Sequence, residues 1–352
     1  MRPSTKEYFN RCCFSDNVGN LSVDFIEFAK AQSELTFDTR YLDHGFRDWD
    51  ETPFKEIKFV NPINYVGYDY TDIIEFTGSY DELLEVILQR IKFVLLKLDP
   101  LKNYLFSHSS GSDSRIISGV MFQLKKEGMN FDNVLFHCWG KSEQNGFMQI
   151  MKKCGWENIS IHDDSVQDAY NVGIPDFCTD GWNPYTSQMK FWGNINPSEY
   201  VLLSGAEGET FIKTYQDWVH NRGFFLERGE SIHRLGRIFR GVFFPFLTHD
   251  MLSLTMSIPK RLKSIPDGRL NRDKLRTDLV EKLGLLNIPV DMARYNFNFS
   301  EGRKREMISL YNKSRFKRDF NVEIDFDDLF KNCNGWNSKC WSFAVTVYEQ
   351  IA

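Results

Sequence analysis

Between the apolar runs NYLF and IISGVMFQLKK lies the stretch SHSSGSDSR, which is Ser107, His108, Ser109, Ser110, Gly111, Ser112, Asp113, Ser114 and Arg115. Its small side chains let a backbone approach a ligand closely, and its serine hydroxyls add hydrogen-bond donors. A helix starting directly after such a loop offers free N–H groups and the positive end of its dipole, a combination that favours phosphate. A carboxylate in the same loop repels phosphate unless a divalent metal bridges the two. These residue types therefore read as a magnesium–polyphosphate cradle. The alternative reading is a serine-rich turn that caps a helix. The stretch is not a Walker A loop, because GxxxxGK[ST] and its lysine are absent, and it is not a GxSxG nucleophile elbow.

The elements that must position this loop follow from the apolar pattern. NYLFSH reads as a strand, DSRIISGVMFQLKKEG as a helix ending at glycine, and NVLFHCW as a second strand. EQNGFMQIMKKCG is a second helix, and ENISIH and EYVLLSG are further strands. Apolar strands alternating with helices predict an α/β fold with a doubly wound parallel sheet, in which ligands bind outside the carboxyl ends of the strands. Upstream, SYDELLEVILQRIKFVLLKL from Ser79 predicts a long amphipathic helix behind a Ser/Asp start. From about Phe211 onward the signals are mainly helical, as in THDMLSLTMSI, LNRDKLRTDLVEKLG and SKCWSFAVTVYEQ. Residues 1–75 show turn signals at DNVGN, LDHG and NPIN but no clear period. The expected organisation is an N-terminal accessory segment over 1–75 and one α/β domain over 76–352 with a largely helical C-terminal half.

Four segments, in order along the chain, carry a resemblance to a family. SSGSDSR resembles the SGGxDSS loop of the N-type ATP pyrophosphatases, the PP-loop enzymes, and most closely that of the asparagine synthetase and β-lactam synthetase group. Ser109, Gly111, Asp113 and Ser114 match that pattern, Ser110 replaces its first glycine, and Arg115 takes its final serine position. VLLSGAEGETF from Val201 resembles VLSGEGxDELF, with Ser204 and Gly205 matching. There Glu209 takes the place of the metal-binding aspartate, and Ala206 the place of a glutamate that the adjacent Glu207 can supply. FFPFLTHDMLSLTMSIPKRLK from Phe243 resembles PFLDxxxxEFALSLPxxLK with Thr248 for Asp, and GRLNRDKLR from Gly268 resembles GKxxKxxLR. The resemblance spans roughly residues 75–350.

What this resemblance implies is ATP-dependent adenylation. An acceptor carboxylate or comparable oxygen attacks the α-phosphate, pyrophosphate leaves, and a nitrogen nucleophile displaces AMP. Asp113 and Glu209 become the magnesium ligands, and residues 107–115 with Ser204 and Gly205 the nucleotide cradle. His137 and Cys138, at the end of the second strand, would flank adenine. Glu207, Arg272 and Lys274 are the implied catalytic residues. Arg272 falls on the family's lysine position, and Lys274 follows two residues later, off that face of a helix. The fused synthetases begin with a glutaminase whose nucleophile is a cysteine; here residue 2 is Arg, and about 75 residues are too few for that domain. A separate nitrogen donor is therefore expected. The acceptor pocket is expected near FCTDGWNPYTSQMKFWGN from Phe177.

The bulk numbers set outer bounds. With 352 residues, 42% hydrophobic and 26% charged, the chain is long enough for a sizeable core of ordinary globular composition. A formal charge of −5 gives no global attraction to nucleic acid or anionic lipid. The basic clusters KRLK and GRKRE keep open the alternative of a PP-loop enzyme that modifies a nucleic-acid base. A third reading is a nucleotide-binding protein with degenerate catalysis. No apolar run reaches membrane-span length, and the start MRPSTKEYFNRCCF lacks a secretion signal's apolar core. Seven cysteines without a CxxC pair suit reduced thiols, so a cytoplasmic protein acting on a small molecule is expected.

Overall fold

The computed structural model describes residues 13–22, 25–38, 52, 54–60, 74–139, 143–162, 192, 194–205, 208, 239–263, 266–267, 272–290, 301–327, 348–349 and 351. Before the α/β core, β1 (Cys13–Asp16), β2 (Leu21–Ser22) and β3 (Ile57–Val60) form an antiparallel sheet in the order β2-β1-β3, with α1 (Phe25–Lys30) between. The N-terminal segment thus contains a small sheet, which the absence of a clear period in its sequence had not suggested. Residues 13–16 and 57–60 pair across more than forty positions of sequence, so no local turn signal announces them.

Helix α2 (Tyr80–Leu95) starts at a capping box. The Ser79 hydroxyl accepts from the Glu82 amide, and the Glu82 carboxylate accepts from the Ser79 amide at 2.7 Å. It buries Leu83, Leu84, Ile87, Leu88, Ile91, Val94 and Leu95, the stripe that its periodicity predicts. The alternation follows as β4 (Tyr104–Ser107), α3 (Ser112–Lys126), β5 (Val134–Trp139), α4 (Gln144–Cys154), β6 (Ile159–His162), β7 (Val201–Ser204) and β8 (Gly241–Phe243). Gly155 closes α4 in the left-handed region at φ 63°, where a glycine carries no Cβ penalty.

These strands make a five-stranded, all-parallel sheet in the order β6-β5-β4-β7-β8. Side chains alternate across it. Tyr104, Phe106, Val134, Phe136, Cys138, Val201 and Leu203 join the helices in one hydrophobic core. Leu105, Leu202 and His137 belong to the other register, where the Trp192 ring lies 5.6 Å from that of His137.

Beyond β8 the described elements are α5 (His249–Ser257), α6 (Lys260–Lys263), the short pair β9 (Pro266–Asp267) and β10 (Arg272–Asp273), α7 (Lys274–Lys282), α8 (Glu301–Lys313) and α9 (Arg315–Phe320). The expected helix over LNRDKLRTDLVEKLG starts at Lys274, and Arg272 lies in β10 instead. The expected helix in SKCWSFAVTVYEQ and most of the stretch from Phe211 to residue 238 lie outside the described residues. No helix among the described residues is long and apolar enough to cross a membrane.

Candidate functional site

Strand β4 is the hinge of the topology. From it the chain moves outward to β5 and β6 on one side, and it later returns to lay down β7 and β8 on the other. The loops leaving β4 and β7 therefore diverge from adjacent strands, the arrangement that opens a ligand crevice in α/β sheets. Ser107 pairs with Ser204 across β4 and β7, Ser107 with His137 across β4 and β5, and His137 with Ser160 across β5 and β6. Paired residues of parallel strands share a face, so Ser204, Ser107, His137 and Ser160 form one polar row across four strands. His137 Nδ1 and Ser160 Oγ lie 3.2 Å apart. Polar side chains along a face of a buried parallel sheet are an informative exception to its apolar rule.

The two motif loops touch. A Cβ on Gly205 would stand 2.9 Å from the Asp113 carbonyl carbon and 2.9 Å from the Ser114 nitrogen, and a Cβ on Gly208 2.6 Å from Asp113 Cγ. The second loop thus lies directly against the first turn of α3, at a distance that glycine alone permits. In that turn Ser112 is 3% exposed, and its hydroxyl has no hydrogen-bond partner among the described residues. Buried polar atoms are normally satisfied, so this orphan and the helix N-terminus beside it suit a polar ligand such as phosphate.

Within the loop most amides already have partners. The Ser109 amide donates to Ser114 Oγ at 3.2 Å, and the Gly111 amide to Ser109 Oγ at 3.1 Å. The Ser110 amide donates to the buried Glu143 carboxylate at 2.8 Å. Ligand donors must therefore come from the first-turn amides of α3, or from Ser109 and Ser114 once their mutual contact opens.

Three side chains expected around the nucleotide point into the protein. Arg115 is fully buried; its Nε donates to the Ser110 carbonyl at 2.7 Å, and its Nη1 to the carbonyls of Leu285 and Ile288 at 3.0 and 2.7 Å. Its Nη2 donates to the Pro289 carbonyl. The guanidinium thus braces the loop against the segment after α7. His108 is 2% exposed, with Nε2 and Ser118 Oγ 2.6 Å apart and its ring against Phe106 and Phe147. Burial drives its pKa down to about 3, so the imidazole is neutral and part of the core. Cys138 also faces the core, and burial pushes its thiol up to about 12, so only its backbone can serve a ligand.

Asp113 receives a charge partner that sequence spacing did not indicate. Arg276 of α7 donates from Nη1 to Asp113 Oδ1 at 2.9 Å, with the guanidinium 2% exposed and the carboxylate side chain 24%. Lys274 turns elsewhere: its ammonium pairs with Asp278 and lies 4.5 Å from the Tyr80 ring centre, and the Tyr80 hydroxyl donates to the same carboxylate at 2.8 Å. The described basic side chain of this segment that meets the loop is thus Arg276. Glu207, Glu209 and the Arg272 side chain lie outside the described residues, as does the stretch from Phe177 apart from Trp192 and Asn194.

As a magnesium site the described donors are insufficient. Among the described residues no three His, Cys, Asp or Glu side chains gather as they would around a metal, and Asp113 already carries Arg276 on one oxygen. Glu143 and Arg276 are the site residues that motif reading missed. One lies 33 positions and the other 163 from its partner, and only an acidic residue opening α4 and the arginine of DKLR could have hinted at them. Compared with known proteins, the chain matches no family model, and no curated protein matches it.

Proposed function

We propose that this chain is an ATP-dependent adenylating enzyme of the asparagine synthetase-like, PP-loop type, with the polyphosphate held where the loops after β4 and β7 meet. The observation that carries the reading is the contact of those two loops at the topological switch point, with Gly205 on the Asp113–Ser114 peptide and the unsatisfied Ser112 hydroxyl in the same turn. Helix α3 contributes its first-turn N–H groups to the phosphates. The row of Ser204, Ser107, His137 and Ser160 lies beside them and offers polar contacts to the nucleoside.

In this reading an acceptor carboxylate attacks the α-phosphate, the bond to the β-phosphate oxygen breaks, and pyrophosphate leaves as the acyl-adenylate forms. A nitrogen nucleophile from outside the chain then attacks the acyl carbon and releases AMP. Arg272 would stabilise charge on the α-phosphate, since a guanidinium can bind its oxygens bidentately but cannot exchange a proton near neutrality. Magnesium would accompany ATP, bound through phosphate oxygens and water, with Glu209 and Glu207 as candidate carboxylates from the second loop.

The test is pyrophosphate release with ATP and a panel of small carboxylic acids. Wild type should release pyrophosphate with at least one acceptor, Arg272→Ala should lower the rate at least about a hundredfold, and Lys274→Ala should leave it near wild type. The reverse pattern for the two variants would show that the lysine does the work. ATP binding without pyrophosphate release for any acceptor would favour a nucleotide-binding protein without turnover. The internal satisfaction of the loop amides is the observation that supports that second reading.

A further inference from the structure

We infer that Arg276, and not a divalent cation, supplies the positive charge that lets the loop at Asp113 accept phosphate. The inference rests on the nucleotide reading above and assigns that site its charge balance. A carboxylate in the first turn of α3 opposes any phosphate at the helix N-terminus. At about 5 Å, in a protein-surface environment, one unit of like charge weakens binding roughly a hundredfold. Here the carboxylate is answered from behind. Arg276 Nη1 lies 2.9 Å from Asp113 Oδ1, and the guanidinium is 2% exposed while the carboxylate is 24% exposed. The cation therefore sits on the protein side of the pair and the anion on the solvent side.

Three features hold the guanidinium there. Helix α7 buries Leu275, Leu279 and Val280 on either side of Arg276, so its backbone is fixed by the core. Its packing is mainly against α3, the helix that carries Asp113, and also against α2. Arginine stays protonated at any pH at which the protein folds. A phosphate reaching α3 thus meets a carboxylate already paired with a cation, the first-turn N–H groups and the unsatisfied Ser112 hydroxyl in place of a bare carboxylate. Arg276 need not touch the phosphate to do this, so it is a positioning and charge-compensating residue.

The experiment is calorimetric titration of the full chain with ATP, once in excess EDTA and once in excess magnesium. Wild type should bind in both, with affinities within about tenfold of each other. Arg276→Met should lose about a hundredfold in EDTA and recover with magnesium, because the ion can then answer the carboxylate in place of the guanidinium. Adding Asp113→Asn to Arg276→Met removes both charges and should restore binding in EDTA. That double variant and Arg276→Lys carry the test if Arg276→Met does not fold, since neither leaves an unpaired buried charge; Arg276→Lys should keep most of the EDTA affinity. ATP binding by wild type that is strictly magnesium-dependent, and abolished by Asp113→Asn, would overturn the inference and leave the nucleotide site standing. No ATP binding by wild type in either condition would overturn the nucleotide reading, and this inference with it.

Discussion

His108 and Gly205 show how much of the loop's chemistry is decided by single side chains. His108 is neutral in the folded chain because burial holds its pKa at about 3, against an ordinary 6.5. The unfolded chain takes up a proton below 6.5 and the folded chain does not until about 3, so stability falls as pH drops through that window. The slope for this one group is about 1.4 kcal/mol per pH unit, and it vanishes above 6.5. Denaturant titrations at pH 7.5 and 5.5 should therefore show a larger loss for wild type than for His108→Gln, by about 1.4 kcal/mol. Equal losses would place the imidazole in contact with solvent. Gly205→Ala pushes a methyl against backbone that is itself packed on α3, so it should cost about 1–3 kcal/mol of stability. The larger effect should be on ATP, because the two loops can no longer close on one another. A variant with wild-type melting and wild-type ATP affinity would mean that the loops are not held in contact.

At the scale of elements, the Ser110 peptide is the joint on which the loop turns. Its N–H is held by Glu143 at the start of α4, and its carbonyl by Arg115 of α3. Its Cβ lies where a side chain on Gly146 would collide, 2.7 Å away, and the Pro289 carbonyl closes the same gap at 2.6 Å. The Ser110 side chain is thus accommodated by a glycine on the next helix. Gly146→Ala should destabilise by about 1–3 kcal/mol, and adding Ser110→Gly should recover only part of that, because the Pro289 clash remains. Full recovery would show that Pro289 moves freely. The strands and helices around this joint were legible in the sequence because burial on one face imposes a period: NYLFSH, NVLFHCW, ENISIH and EYVLLSG all became parallel strands. The joint itself was not legible. Hydrogen bonds from Ser110 to Glu143 and from Arg276 to Asp113 depend on which helices pack together, and no local pattern encodes that. For the same reason His108 and Arg115 read as candidates for the nucleotide cradle, although their side chains are buried.

For the whole molecule, the chain's two ends are coupled. The Phe37 ring lies 4.8 Å from those of both Phe316 and Phe320 in α9, and Phe320 lies 4.8 Å from Tyr348. Aromatic pairs at these distances add about 0.5–1.5 kcal/mol each beyond burial. A chain beginning at residue 76 should therefore melt at lower temperature and expose an apolar face on α9, seen as increased binding of a hydrophobic dye. An unchanged melting temperature would show that residues 1–75 are an independent appendage. The core of the central sheet is built from other residues, and its switch point is where nucleotide should bind. Amide hydrogen exchange with and without a non-hydrolysable ATP analogue reads nucleotide binding at that point. Protection is predicted in peptides covering 107–115 and 203–208, with little change along Asp81 to Val94 of α2. Protection confined to other segments, or none at saturating nucleotide, would contradict the assignment of these loops as the polyphosphate site.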